Sequence, residues 1–188
     1  MPYDVNMKLA LIGDSAVGKT CLLNRYIQGT FSSEFYTTIG IDYRTKIETI
    51  DDKVCRLEVW DTAGQERFRA ITKSYLHDVA GVFLVFDITT RTSFTNISTW
   101  IQQIENSGVE DVCCILIATH GDQLDRRQVS DEEIKERAAA LNYSYFVTSA
   151  VDGQNVNEAF RAMGSLILKK SKKDESEMGS GRRGTCSV

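Results

Sequence analysis

The chain has 188 residues, of which 42% are apolar and 26% are charged, a composition ordinary for one globular domain. Its net charge of −4 excludes a general nucleic-acid-binding protein, because that class usually carries a basic face. The apolar runs are shorter than a membrane span, and the first residues lack the basic region of a secretory signal. We therefore expect a cytoplasmic domain that binds no nucleic acid.

The first third of the chain predicts a strand, a loop, a helix and a hairpin. Residues 7–12 form an apolar run that ends at the loop GDSAVGKT. A helix is predicted after the loop by apolar residues at helical spacing: Leu22, Leu23, Tyr26 and Ile27. Residues 45–50 and 55–60 flank a turn at residues 51–53, and this pattern predicts an antiparallel hairpin.

The rest of the chain alternates strands with helices. Residues 82–88 and 113–118 are near-continuous apolar runs, typical of strands buried on both faces of a parallel sheet. Between them, one helical face is marked by Phe94, Ile97, Ile101 and Ile104. The remaining predictions are a helix opened by a capping box, a short strand and a last helix, at Ser130 with Glu133, at residues 145–148 and from Asn155.

This order of elements predicts an α/β fold. We expect a mostly parallel six-stranded sheet with one antiparallel edge strand and helices on both faces, joined by right-handed crossovers. We assign residues 1–170 to this domain. Residues 171–188 are polar and without periodicity, and we expect them to form a disordered tail.

The loop at residues 13–20 matches the phosphate-binding pattern GxxxxGK[ST] between a strand and a helix. Its glycines let successive N–H groups converge on a phosphate, helped by the helix N-terminus. Lys19 supplies a charge to the β- and γ-phosphates, and the Thr20 hydroxyl is a ligand for Mg²⁺. The expected nucleotide-binding residues here are Ser15, Ala16, Val17, Gly18, Lys19, Thr20 and Cys21. The alternative is a chance strand–turn–helix junction with an exposed lysine.

A second motif, DTAGQE, follows the strand that ends at Trp60. Asp61, at the end of this strand, is expected to hold Mg²⁺ through water. Gly64 lets a backbone N–H approach a γ-phosphate, and Gln65 is the candidate catalytic residue because its amide could orient the attacking water.

With these motifs, the stretches IGIDY, RLEVWDTAGQERF and ERFRAIT make the chain resemble the Ras superfamily, and the Rab proteins in particular, over about residues 5–170. The resemblance implies the G domain of a P-loop NTPase that binds GTP or GDP with Mg²⁺. It also implies a monomeric switch in vesicle traffic whose slow GTP hydrolysis is accelerated by a GTPase-activating protein and whose nucleotide is exchanged by an exchange factor.

The family resemblance assigns further roles. Thr38 matches the threonine that reaches Mg²⁺ and the γ-phosphate in the GTP state. Phe31 matches the aromatic that packs edge-on against the base, and Phe35 the one near the phosphates. Effectors are expected to bind residues 39–43 and the aromatic triad, which consists of Tyr43, Trp60 and Tyr75.

The guanine-binding motifs depart from the family pattern. The family's NKxD is represented by Thr119, His120, Gly121 and Asp122. Asp122 is expected to accept two hydrogen bonds from guanine, whereas Thr119 is too short to replace the asparagine that ties the loop and base together. His120 replaces a lysine whose stem lies over the base; its imidazole either stacks there or is an ordinary solvated loop histidine.

The family's SAK is represented by Ser149, Ala150 and Val151. Ala150 is expected to donate its backbone N–H to guanine O6, and the lysine is lost at Val151. An ATPase is disfavoured because the Asp122 carboxylate would face the adenine N1 acceptor. The remaining alternative to a switch is a degenerate Rab-like scaffold that holds nucleotide weakly.

The tail contains one cysteine, Cys186, as the third residue from the end. Its position does not fit a CaaX box. Rab proteins carry prenylated C-terminal cysteines, so Cys186 is the candidate lipidation site, and the basic residues before it would add a second signal for the cytosolic face of a membrane. The alternative is a solvated tail with an incidental thiol.

Overall fold

The computed structural model describes residues 2–32, 41–62, 78–109 and 111–180. Its strands are β1 (Val5–Ile12), β2 (Ile41–Ile50), β3 (Lys53–Thr62), β4 (Gly81–Asp87), β5 (Cys113–Thr119) and β6 (Ser144–Val147). Its helices are α1 (Lys19–Gln28), α2 (Arg91–Thr95), α3 (Ile97–Glu105), α4 (Asp131–Leu141) and α5 (Val156–Ser180), with a short 3₁₀ helix at Leu124–Arg126.

The strands form one six-stranded sheet in the order β2-β3-β1-β4-β5-β6. Strands β2 and β3 pair antiparallel, and every other pair is parallel. The predicted α/β fold with one antiparallel edge strand is therefore confirmed. Because β1 lies between β3 and β4, the order in which strands are added to the sheet changes sides at β1. Ligands of such sheets bind at this point, at the carboxyl ends of the strands.

The predicted hairpin is formed by β2 and β3, and its strands are longer than expected. The turn consists of Asp51 and Asp52, both with positive φ (46° and 63°), and Ile50 pairs with Lys53. Two left-handed residues form the turn whose twist matches that of the flanking strands.

Two apolar layers cover the sheet. On one face, α1 and α5 pack together, and the Tyr26 and Phe160 rings stack with centroids 3.7 Å apart. On the other face, Trp100 of α3 and Ile134 of α4 are buried against the sheet. Every residue of β4 and β5 is buried, as the apolar runs predicted.

The helix predicted between β4 and β5 is divided into α2 and α3 at Asn96. The backbone of Asn96 stays in the right-handed helical region (φ −69°), so the two helices continue in nearly the same turn. Ile97, Trp100 and Ile104 are buried, whereas Phe94 and Ile101 are only partly buried. Trp100, which the predicted stripe did not include, therefore belongs to the core face.

The prediction of disorder from residue 171 differs from the structure over residues 171–180, where α5 continues as a helix. This stretch contains no proline and is rich in lysine and glutamate, which favour helix, and its first glycine is Gly179. Cys186 and the rest of residues 181–188 lie outside the described residues. No helix in the described part of the chain is long and apolar enough to cross a membrane.

Candidate functional site

The loop between β1 and α1 has the backbone that its glycines predict. A Cβ atom on Gly13 would lie 2.1 Å from the carbonyl oxygen of Val85, so only glycine lets the loop pass β4 at this distance. Gly18, with φ 88°, precedes α1 in the left-handed region, and Ala16 has φ 62°. The loop therefore curls back over the N-terminus of α1, where its N–H groups can converge on an anion.

Lys19 is folded into this loop and only 6% exposed. Its Nζ donates to the carbonyl oxygens of Gly13 (2.9 Å) and Asp14 (2.6 Å). Burial lowers the pKa of Lys19 to about 8, although the nearby carboxylates of Asp61 and Asp14 favour its charged form. Lys19 is therefore not the exposed lysine of the alternative interpretation.

Thr20 and Asp61 meet beside Lys19 at the ends of α1 and β3. The Thr20 hydroxyl donates to Asp61 Oδ2 at 2.5 Å, and Asp61 is fully buried. Burial raises the pKa of Asp61, against the opposing effects of the Thr20 hydrogen bond and the Lys19 charge.

The second carboxylate oxygen of Asp61, Oδ1, is buried and accepts no hydrogen bond from any described residue. A buried carboxylate oxygen without a donor is costly unless a cation satisfies it. Hydroxyl and carboxylate oxygens are also the ligands that Mg²⁺ prefers. Thr20 and Asp61 therefore fit a Mg²⁺ ion.

A cavity of about 130 Å³ opens beside the phosphate loop. It brings together eight of the residues predicted to bind nucleotide: Gly18, Cys21, Phe31, Thr119, His120, Asp122, Ala150 and Val151. Its other lining residues are Leu22, Ser32, Gln123 and Thr148. Because Gly18 and Cys21 belong to the loop–helix junction, the cavity is continuous with the phosphate loop.

Thr119 was expected to be too short to tie the loop and the base together, and for the loop this expectation is wrong, because Thr119 links β5 to the phosphate loop. Its hydroxyl lies 2.7 Å from the Val17 carbonyl oxygen and 3.0 Å from that of Phe86. The side chain is long enough because β5 ends directly beside the loop, and it is 4% exposed.

His120 is not a freely solvated histidine. Its Nδ1 lies 3.0 Å from Oδ1 of Asp87, and its side chain is 23% exposed. Asp87 ends β4 and also accepts from the backbone N–H and the hydroxyl of Thr89. Burial acts to raise the pKa of Asp87, but the hydrogen bonds from His120 and Thr89 outweigh it and lower that pKa.

Ala150 and Val151 also line the cavity, and Arg25 of α1 holds their backbone. Arg25 Nε donates to the Ala150 carbonyl oxygen at 2.6 Å, Nη2 donates to that of Val151, and Nη1 to that of Gly29 at 2.7 Å. Sequence reasoning missed Arg25, because a basic residue in the last turn of a helix is ordinary. Ser149 is fully buried and Val151 is half-exposed.

Asp14 of the phosphate loop was also missed by sequence reasoning. Its carboxylate accepts from Asn96 Nδ2 and Trp100 Nε1, each at 2.7 Å. These two bonds attach the loop to the segment from Asn96 through α3. No local pattern marks such a contact, because its partners are more than eighty positions apart.

Several predicted residues lie outside the described part of the chain: Phe35, Thr38, Gly64, Gln65, Tyr75 and Cys186. Of the predicted aromatic triad, Tyr43 and Trp60 are described. Their ring centroids are 5.0 Å apart, and Tyr43 is 40% exposed. Arg56 donates to the Tyr43 hydroxyl at 3.3 Å, so the two rings belong to one polar and aromatic surface of β2 and β3.

Comparisons with known proteins identify the family of the chain. The Ras family model matches residues 8–169. The GTP-binding protein ypt1 of Schizosaccharomyces pombe is 41% identical over 168 residues, covering 89% of this chain and 83% of the relative. Ras-related protein Rab-8B of Homo sapiens is 44% identical over 168 residues, with coverages of 89% and 81%. Ras-related protein SEC4 of Candida albicans is 45% identical over 170 residues, with coverages of 89% and 80%. The chain belongs to the Ras family, among its Rab-like small GTPases.

Proposed function

We propose that this protein is a switch of vesicle traffic that binds GTP with Mg²⁺, hydrolyses it to GDP and binds its effectors in the GTP state. As a Ras-family member it is a small GTPase. The observation that carries the proposal for the site is the continuity of the cavity with the phosphate loop through Gly18 and Cys21. A nucleotide whose phosphates lie in the loop and whose base lies in the cavity requires the two to be continuous.

Lys19, Thr20 and Asp61 are proposed to bind the phosphates and the metal ion. Lys19 supports this role because its ammonium lies within the curl of the loop. Bound Mg²⁺ would neutralise charge that develops on the phosphate oxygens during transfer. Thr38 is proposed as a further ligand and Gln65 as the residue that orients the attacking water.

The cavity is proposed to take guanine. Asp122 would accept from the guanine N1–H and exocyclic amine, and the backbone N–H of Ala150 would donate to O6. Adenine would place an acceptor against the Asp122 carboxylate, so an ATPase is disfavoured. The scaffold alternative is not favoured either, since Lys19 is buried beside the Thr20–Asp61 pair and Asp122 lines the cavity.

As a Rab-like GTPase the protein works with an exchange factor, a GTPase-activating protein and effectors. We propose that effectors contact residues 39–43, Trp60 and Tyr75. The exposed Tyr43 ring beside Trp60 supports this surface. We also propose that Cys186 is lipidated and holds the protein on the cytosolic face of a membrane. The lysines of α5 at positions 169, 170, 172 and 173 support an added attraction to acidic lipid.

The proposal is tested by identifying the nucleotide that co-purifies with the protein. The protein is denatured, and the released nucleotide is separated by ion-exchange chromatography. We expect GDP, with some GTP. Release of ATP or ADP would overturn the guanine assignment, and a protein that neither carries nor takes up guanine nucleotide would favour the scaffold.

A further inference from the structure

We propose that Asp87 is a positioning residue of the base site, because its carboxylate holds the His120 ring as a wall of the cavity. The inference rests on the proposed guanine site and adds a residue to it. The family resemblance assigns no role to Asp87, and at His120 the family carries a lysine, which could not form this pair of an imidazole and a carboxylate.

The geometry indicates that Nδ1 of the His120 ring carries a proton. Nδ1 of His120 has two polar neighbours, Asp87 Oδ1 at 3.0 Å and Thr119 Oγ1 at 3.3 Å. The Thr119 hydroxyl has one proton, and the Val17 carbonyl oxygen is its nearest acceptor at 2.7 Å. Thr119 therefore turns a lone pair toward Nδ1, and both neighbours of Nδ1 are acceptors. A ring nitrogen between two acceptors carries the proton.

Asp87 is itself held firmly. Its Oδ1 accepts from the Thr89 backbone N–H at 2.7 Å and the Thr89 hydroxyl at 2.8 Å, and its Oδ2 from the Thr90 hydroxyl at 3.2 Å. The residue is 8% exposed. Because the Asp87 carboxylate is fixed by these bonds, it determines the orientation of the His120 ring.

His120 in turn lines the cavity that is proposed to take the base. Its backbone has φ 60°, a left-handed conformation directly after β5. Its Cε1 is 3.5 Å from the position that a Cβ atom on Gly18 would take. The ring therefore packs close to the phosphate loop, and His120 is one of the residues that line the cavity. Without Asp87 the ring could rotate away, and the bound base would lose this wall.

The kinetic test measures release of a fluorescent GDP from the full-length protein by stopped flow. We expect Asp87→Ala and His120→Ala each to accelerate release roughly fivefold, the scale of one net hydrogen bond. Because Asp87 acts through His120, the double variant should be no faster than about twice His120→Ala. Release rates that multiply in the double variant would overturn the inference, and so would an unchanged rate for His120→Ala.

Arg91→Ala is the matched control. Arg91 is exposed in the same turn after β4, and its side chain donates to Gln128 and Glu133 rather than to Asp87 or His120. We expect its release rate to equal that of the wild type. An acceleration as large as that of Asp87→Ala would mean that any loosening of this turn opens the cavity, and the positioning role would be lost.

A spectroscopic test keeps the inference falsifiable if Asp87→Ala does not fold. The chain has two histidines, so ¹⁵N-histidine labelling gives two imidazole spectra, which the His77→Asn variant assigns. We expect the neutral His120 ring of the wild-type protein to carry its proton on Nδ1. A proton on Nε2 would overturn the inference. If the wild-type protein binds no guanine nucleotide, the proposed function fails, whereas normal binding with unchanged variants removes only the role of Asp87.

Discussion

Asp122 is the only carboxylate that lines the cavity among the residues that the structure describes. We expect Asp122→Asn to lower the affinity for guanine nucleotide at least tenfold, because the variant loses a charge-assisted hydrogen-bond acceptor. The new amide should instead favour xanthine nucleotide, whose C2 carbonyl accepts a hydrogen bond. Competition between GDP and XDP for the purified variant measures both effects. Asp125→Asn, at an exposed position three residues on and outside the cavity, is the control and should bind as the wild type. A variant at Asp122 with normal guanine affinity would show that the base binds elsewhere.

Gln65 is the residue proposed to act on the attacking water. Gln65→Leu should retain affinity for GTP, because its side chain is not expected to bind the nucleotide in the ground state. Single-turnover hydrolysis should slow by at least about tenfold, since little else in phosphoryl transfer replaces water orientation. The rate is measured by release of phosphate from preloaded GTP. An unchanged rate would remove Gln65 from the mechanism.

At the scale of elements, α1 is joined to the loop after β6 by the Arg25 guanidinium. Arg25→Ala should release GDP roughly five- to tenfold faster, because it removes the donors to the backbone carbonyl groups of Ala150 and Val151, which line the cavity. Arg25→Lys should recover only part of this, since an ammonium cannot reach several acceptors as a planar fork does. Stopped-flow release measures the series.

Arg161→Ala is the control for the Arg25 series. Arg161, whose side chain is 63% exposed, forms an ion pair between α5 and β2 with Glu48, whose side chain is 11% exposed, and neither residue lines the cavity. Its loss should leave release unchanged and cost roughly 1–3 kcal/mol of stability, because the Glu48 carboxylate loses a charged partner. If Arg25→Ala lowers the melting temperature without changing the rate of GDP release, Arg25 stabilises the fold and does not act on the nucleotide.

At the scale of the whole molecule, Mg²⁺ should couple nucleotide binding to stability. The buried Oδ1 of Asp61 lacks a donor among the described residues, and removal of a bound ion would leave it uncompensated. We expect EDTA to lower the melting temperature of the GDP-bound protein by roughly 5 °C, as a tenfold loss of ligand affinity would. Thr20→Ala should reduce this shift. A melting temperature insensitive to EDTA in both proteins would contradict a Mg²⁺ site at Thr20 and Asp61.

The same scale includes the membrane. Cys186→Ser should move the protein from membrane to soluble fractions of cells, because a basic segment without a lipid chain binds weakly. Thr185→Ser is a neighbouring control that leaves the thiol in place and should not change fractionation. Membrane-bound protein whose intact mass shows an unmodified C-terminus would rule out lipid anchoring.

Local patterns determined much of this protein before any tertiary structure was considered. The phosphate loop, the hairpin and the buried strands were predictable, because each depends on residues adjacent in sequence or on the period of the apolar residues. The capping box of α4, in which Ser130 accepts from the Glu133 N–H and Glu133 from the Ser130 N–H, is local in the same way. The extension of α5 to Ser180 was missed because a polar segment without periodicity still contains strong helix formers.

The contacts that shape the proposed base site were decided only by the tertiary structure. Arg25 and Ala150 are 125 positions apart, and Thr119 meets Val17 across 102 positions. Such partners are set by which strand ends lie side by side, and the residue types alone do not specify them. A weakened base motif was predicted because Thr119 and His120 were compared one by one with the family's NKxD residues. In the fold, Val17 and Asp87 supply their partners, because the carboxyl ends of β1, β4 and β5 meet at one edge of the sheet.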